Sequence, residues 1–168
     1  MNDTHTILLV EDNPNDVLFV GLAFKRLGLK HRLIVVADGI EAQQYLQGDR
    51  EYSDRSRFPW PSLILLDLDM PRMDGFQLLE WLRQQPSLCH LPVIVLTTST
   101  YSPDVTRAYQ VGANSFLVKP PGFAEFVESM KETLEFWLAR CRLPETDSDS
   151  ETKNAENNGF GERRLRRE

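Results

Sequence analysis

Cysteine is scarce in this chain. Cys89 and Cys141 are the only two, and they lack the spacing of a redox or metal-binding motif, so reduced thiols in a cytoplasmic setting are the simplest reading. No apolar run approaches the roughly 18 residues that a membrane span needs. The opening stretch, MNDTHTILLVEDN, breaks its short apolar run with acids and has no basic leader, which argues against a secretory signal. Basic clusters are also missing from the body of the chain. With 19 Lys and Arg against 25 Asp and Glu, the net charge of -6 has the wrong sign for a surface that neutralises nucleic-acid phosphates. No glycine-rich fingerprint follows the first apolar run, which disfavours a dinucleotide site, and no internal repeat is present. What is there is an acidic chain of 168 residues, 41% hydrophobic, enough for one substantial core.

The strongest local pattern is Leu63 to Gly75, LILLDLDMPRMDG. Leu63 to Leu66 are four consecutive apolar residues, the composition of a strand buried on both faces of a parallel sheet. Asp67 follows at the strand's carboxyl end, the edge at which open α/β sheets bind ligands. Pro71 ends ladder pairing, and Asp74-Gly75 supplies a turn and a helix N-terminus ahead of Phe76, Leu78, Leu79 and Leu82. A carboxylate fixed on a rigid strand tip is a candidate phosphoryl acceptor.

The same alternation runs through the rest of the chain. Ile7 to Val10 predicts a first strand ending in Glu11-Asp12, and Asn13-Pro14 starts a helix that Gly28 stops. Leu33 to Ala37 predicts a second strand, followed by a helix from Asp38-Gly39 to about Gly48 and a polar, mobile loop from Asp49 to Phe58. Pro92 to Leu96 predicts the next strand, ending in the hydroxyls of Thr97 and Thr98. Ser115 to Val118 predicts a last strand, ending in Lys119-Pro120-Pro121. A closing helix shows Phe123, Phe126, Val127, Met130, Leu134, Trp137 and Leu138 on one broad face. Strands and helices alternating at this spacing form βαβ units, and right-handed crossovers bring the polar strand tips to one edge. From Pro144 the composition turns to Ser, Asp, Glu and Asn, so residues 1–143 are expected to be the folded domain and 144–168 a disordered, solubilising tail.

Glu11, Asp12 and Asp67 would therefore converge. At about 4 Å and an effective dielectric of 20, each like-charged pair costs on the order of 4 kcal/mol, so the cluster calls for a cation. Mg²⁺ suits a site that offers a few carboxylates, waters and a phosphate oxygen. An acyl phosphate on Asp67 would also need donors, which the Thr97 hydroxyl and the Lys119 ammonium can supply. Taken singly, Glu11 and Asp12 read as helix-capping acids in a solvated loop, and Thr97 and Lys119 as commonplace strand ends. Their joint placement with Asp67 carries the signal.

The ordered pattern LLVEDN, LILLDLDMPRMDG, PVIVLTTS and GANSFLVKP resembles the CheY-like receiver domain of two-component response regulators along nearly all of residues 5–140. The resemblance implies a flavodoxin-like, doubly wound (βα)5 fold with five parallel strands in the order 2-1-3-4-5. It implies Asp67 as phosphoacceptor, Glu11 and Asp12 as the Mg²⁺-holding pair, and the backbone carbonyl of Asp69 as a further metal ligand. It implies a cis Lys119–Pro120 bond, and Phe116 as an aromatic switch that turns inward as Thr97 moves toward the phosphate, plain core packing being the other reading of Phe116. The long Asp49 to Phe58 loop, the VLTTS strand end and the closing EFWL helix resemble single-domain regulators paired with phytochrome-type histidine kinases. Asp69 stands where the pattern more often has Asn, and Thr98 where many receivers carry a small apolar residue.

A sensor histidine kinase, here a bacteriophytochrome, is thus the expected phosphoryl donor. Output is expected through protein contact or phosphorelay with no nucleic acid or membrane involved, and a homodimer through Phe136 and Trp137 is one arrangement. The protein is expected to accept phosphate without acting as a turnover enzyme. Two other readings stand beside this one. Asp67-Leu68-Asp69 after a buried strand also resembles the haloacid-dehalogenase phosphohydrolases, although their acids lie downstream of that motif and here the pair lies upstream. A receiver-like binding module that works unphosphorylated is the other.

Overall fold

The computed structural model describes residues 4–144. Five strands, β1 (Thr6–Val10), β2 (Arg32–Val36), β3 (Leu63–Leu66), β4 (Val93–Thr97) and β5 (Ser115–Val118), alternate with five helices. The helices are α1 (Pro14–Arg26), α2 (Gly39–Gln47), α3 (Gly75–Gln84), α4 (Ser102–Val111) and α5 (Phe123–Leu134). All strand pairs are parallel and the sheet order is β2-β1-β3-β4-β5, the order that the resemblance to receiver domains implies.

Period-two alternation along the inner strands divides the interior into two layers. Leu8, Val10, Ile64, Leu66, Val93 and Val95 face α2, α3 and α4. Ile7, Leu9, Leu63, Leu65, Ile94 and Leu96 face α1 and α5, against Val20, Phe24, Phe126 and Met130. Every residue of β1, β3 and β4 is buried, each large side chain stabilising by about 1.5–3 kcal/mol. This core fixes the positions of the strand tips.

Local signals set the helix starts. The Asn13 side chain accepts from Asn15 N at 2.9 Å, and the Asp38 side chain accepts from Glu41 N at 2.9 Å. Asp74 and Gln77 form a reciprocal capping box at 2.8 and 3.0 Å, which starts α3 just after the site.

Three expectations need correction or completion. The Asp49–Phe58 connection is not a free loop: a 3-10 turn over Arg50–Ser53 buries Tyr52, whose hydroxyl donates to Glu41 Oε1 at 2.7 Å. Arg55 donates to the carbonyls of Tyr45 (2.8 Å), Leu46 (3.1 Å) and Phe58 (3.3 Å) and lies over the Trp60 ring at 4.0 Å. Aromatic packing and a guanidinium that caps the end of α2 order a segment whose composition alone looks solvated. The Lys119–Pro120 bond is trans, the isomer that X–Pro amides intrinsically favour by about 0.5–1 kcal/mol. The closing helix changes to a π-turn over Glu135–Arg140, which carries Trp137 and Leu138 onto the α1–α5 side of the core and leaves Phe136 53% exposed. The tail expected after residue 143 lies, apart from Pro144, outside the described residues.

Candidate functional site

The backbone ladder continues past β1 and β3 into the acids. Glu11 N donates to Val36 O and Asp67 N donates to Val10 O, both at 3.0 Å, so the two carboxylates leave neighbouring strand tips side by side. Asp12 stands next to Glu11 and faces solvent. Each of Glu11, Asp12 and Asp67 presents an oxygen within 4.8 Å of the others.

β5 delivers the cation. Lys119 N donates to Thr97 O at 2.7 Å, and its ammonium, on a side chain that is 8% exposed, donates to Glu11 Oε2 at 2.6 Å, Asp16 Oδ2 at 2.7 Å and Asp67 Oδ1 at 3.4 Å. Burial would lower the Lys119 pKa, but the hydrogen bonds from Asp16 and Glu11 and the attraction of Asp67 outweigh it and hold the pKa above the ordinary lysine value. Glu11 and Asp67 respond in the opposite sense. Burial pushes both carboxyls above their ordinary values, and the pull of Lys119 only partly offsets it.

Glu11, Asp16 and Asp67 thus share one ammonium, and Asp12 adds a fourth carboxylate beside Glu11 and Asp67. Two of them are buried and reluctant to ionise. A hard cation with oxygen ligands would relieve that excess, so the donor set fits a divalent ion. Among the described residues no other cluster of three or more His, Cys, Asp or Glu has such an arrangement.

Thr97 is fully buried at the end of β4, and its Oγ1 accepts from Ser99 N at 3.2 Å. Phe116, on β5 beside Val95, is half-buried against the core layer under α4. Asp69 is exposed, and its carboxylate lies outside the three-acid group. The loop that carries it is held at several points. Gly75 N donates to Leu68 O at 3.0 Å, Gly39 N donates to Met73 O at 3.3 Å, and Arg72, at φ 66°, pairs with the buried Asp38.

Two participants escape sequence reasoning. Asp16 in the first turn of α1 reads as an acid complementing the helix dipole, and only the close approach of β5 to α1 gives it an ammonium. Asp38 reads as a helix cap, which it is, and nothing local announces its second bond to Arg72.

Comparison with known proteins bears on this arrangement. The family model for the response regulator receiver domain matches residues 7–131. The response regulator Rcp1 of Synechocystis sp. is 37% identical over 143 residues, covering 85% of this chain and 95% of Rcp1. Its Mn²⁺-bound crystal structure superposes with a TM-score of 0.75 over 84% of this chain and 99% of that one. The phosphorylated cyanobacterial phytochrome response regulator RcpA gives 0.79 at 34% identity, covering 85% of this chain and all of that one. RPA3017, from red light signalling in R. palustris, gives 0.81 at 38% identity over 84% and 99%. These likenesses span the strands and the acidic edge alike, and the chain belongs to the response regulator receiver domain family, which accepts phosphoryl groups in two-component signalling.

Proposed function

We propose that Asp67 is the phosphoacceptor, taking a phosphoryl group from the phosphohistidine of a sensor histidine kinase of the phytochrome type. The observation that carries this reading is the convergence of Glu11, Asp12 and Asp67 within 4.8 Å around a strand tip that also receives a buried lysine. Similarity to regulators named for phytochrome and red light signalling supports the kinase class.

In the step itself a carboxylate oxygen of Asp67 attacks phosphorus as the P–N bond to the kinase imidazole breaks. The leaving nitrogen recovers a proton and an acyl phosphate remains on Asp67. Glu11, Asp12 and Asp67, with the backbone carbonyl of Asp69, would hold Mg²⁺, which when bound would supply charge neutralisation of phosphoryl oxygens. Lys119 and the Thr97 hydroxyl supply the remaining donors, so catalysis is positioning and electrostatics. Thr97 moves toward the new oxygens and Phe116 turns into the space behind it, repacking the face of α4, β5 and α5 for an output partner or a second copy through Phe136. Residues 1–143 act in the cytoplasm as a signalling module, without sustained turnover.

Intact mass after incubation with a small phosphoryl donor tests the acceptor. One phosphoryl group gained with Mg²⁺, and not gained without it or in Asp67→Asn, is the expected result. Absence of labelling from either the donor or a histidine kinase would favour a module that binds its partner unphosphorylated.

A further inference from the structure

The three N–H donors of Lys119 are all taken by carboxylates, Glu11 at 2.6 Å, Asp16 at 2.7 Å and Asp67 at 3.4 Å. Glu11 and Asp67 belong to the three-acid group, and Asp16 does not. Asp16 comes instead from the first turn of α1, where it lines a cavity of about 350 Å³ together with Phe19, Thr98, Lys119 and Pro120. An acid in a first helical turn complements the helix dipole wherever it points. That does not account for one held on the ammonium of a nearly buried lysine that reaches it from the end of β5.

We propose that Asp16 is a positioning residue for phosphoryl acceptance, competing with the phosphoryl group on Asp67 for the Lys119 ammonium and holding Nζ toward α1 in the resting state. The inference rests on Asp67 being the acceptor. A phosphoryl group brings new anionic oxygens to the side of Lys119 on which the present contact is longest, and a strong bond there requires Nζ to loosen its hold on Asp16. Two anions drawing on one ammonium disfavour each other, so Asp16 sets a threshold that the phosphoryl group must overcome. The same residue fixes where the lysine waits, ready at 3.4 Å from Asp67 without closing on it.

The test is binding of beryllofluoride, a non-covalent phosphoryl mimic, to the full chain at saturating Mg²⁺, followed by fluorine NMR. Wild type, Asp16→Asn, Asp16→Glu and Asp67→Asn are compared at low salt and at 1 M salt. Asp16→Asn is expected to bind about tenfold tighter, the change that one charge-assisted hydrogen bond of ~1.4 kcal/mol corresponds to. The gain should persist at 1 M salt, because contact on a buried ammonium is poorly screened, while Asp16→Glu stays near wild type. Unchanged or weaker binding by Asp16→Asn overturns the proposal. So does a gain that vanishes at 1 M salt, since Asp16 would then act only through net charge. Wild type that binds no mimic and gains no phosphoryl mass defeats the acceptor reading itself, whereas wild-type binding lost in Asp67→Asn sustains that reading whatever Asp16 does.

Discussion

Lys119 Nζ donates to Glu11 Oε2 at 2.6 Å, joining the tip of β5 to the tip of β1 across 108 residues of sequence. Both side chains are nearly inaccessible, at 8% and 2% exposure, so neither charge has water to fall back on. Removing one partner of such a pair leaves the other buried and uncompensated. Lys119→Met should therefore lose about 3 kcal/mol or more in urea unfolding without divalent ions. Millimolar Mg²⁺ should restore part of that loss. Equal losses with and without Mg²⁺ would show that the ion does not engage the acids.

The raised carboxyls of Glu11 and Asp67 give the metal-free protein an inverted acid response. Their folded pKa values exceed the unfolded ones because burial disfavours the charged forms. The folded state therefore holds protons more tightly, and this contribution is greatest below the ordinary carboxylate range and lost as pH rises through the raised values. Unfolding free energy followed upward from about pH 4 in a chelator should show the decline. Asp67→Asn should flatten it and raise stability at neutral pH, and saturating Mg²⁺ should remove it in the wild type.

A different pH dependence belongs to the opposite end of the sheet. His31 Nδ1 accepts from His5 N at 3.2 Å, which requires that nitrogen to be unprotonated. Burial, and then the neighbouring His5, lower the His31 pKa. Its contribution is complete above the ordinary histidine value of about 6.5 and is lost as pH falls through the lowered folded value. Thermal unfolding between pH 7 and 5 in wild type and His31→Asn should differ in slope, with the variant flatter. Parallel curves would assign the slope to other groups.

The ordered connection after α2 predicts a stability cost for Arg55. Arg55→Ala removes donors to the carbonyls of Tyr45, Leu46 and Phe58 and uncovers Trp60, and about 2 kcal/mol should be lost. Arg55→Lys should recover little, because an ammonium cannot reproduce the planar fork over an indole. Limited proteolysis should cut both variants within residues 49–58 faster than wild type.

Gly75 lies where a side chain cannot fit. A Cβ there would come within 2.8 Å of Leu68 Cα and still closer to the Asp67 carbonyl oxygen, both backbone atoms that cannot swing aside. Gly75→Ala should push the β3–α3 loop off the acidic edge, weakening Mg²⁺ binding together with stability. Calorimetric Mg²⁺ titration that matches wild type would mean that the loop can shift without moving Asp67.

Much of this molecule is readable residue by residue. Apolar runs of four or five ending in an acid or a hydroxyl specify the buried inner strands β1, β3 and β4, and the handedness of crossovers gathers Glu11, Asp12, Asp67, Thr97 and Lys119 on one edge. Asp74-Gly75 likewise marks the start of α3 by its own capping chemistry. These are short-range or topological constraints, so composition and spacing are enough to express them.

Tertiary structure decided how the charges are shared. Sequence offers Lys119 to Asp67, but the ammonium sits closer to Glu11 and Asp16, because α1, packed beside α5 through Val20, Phe24, Phe126 and Met130, carries Asp16 within reach of it. Tyr52 and Arg55 likewise look solvated in a polar stretch and become anchors only once α2 offers Glu41 and its last carbonyls. The sequence alone determined which chemical groups reach the edge of the sheet. Which of them touch depends on side-chain packing between elements distant in the chain, a long-range property that no local pattern encodes.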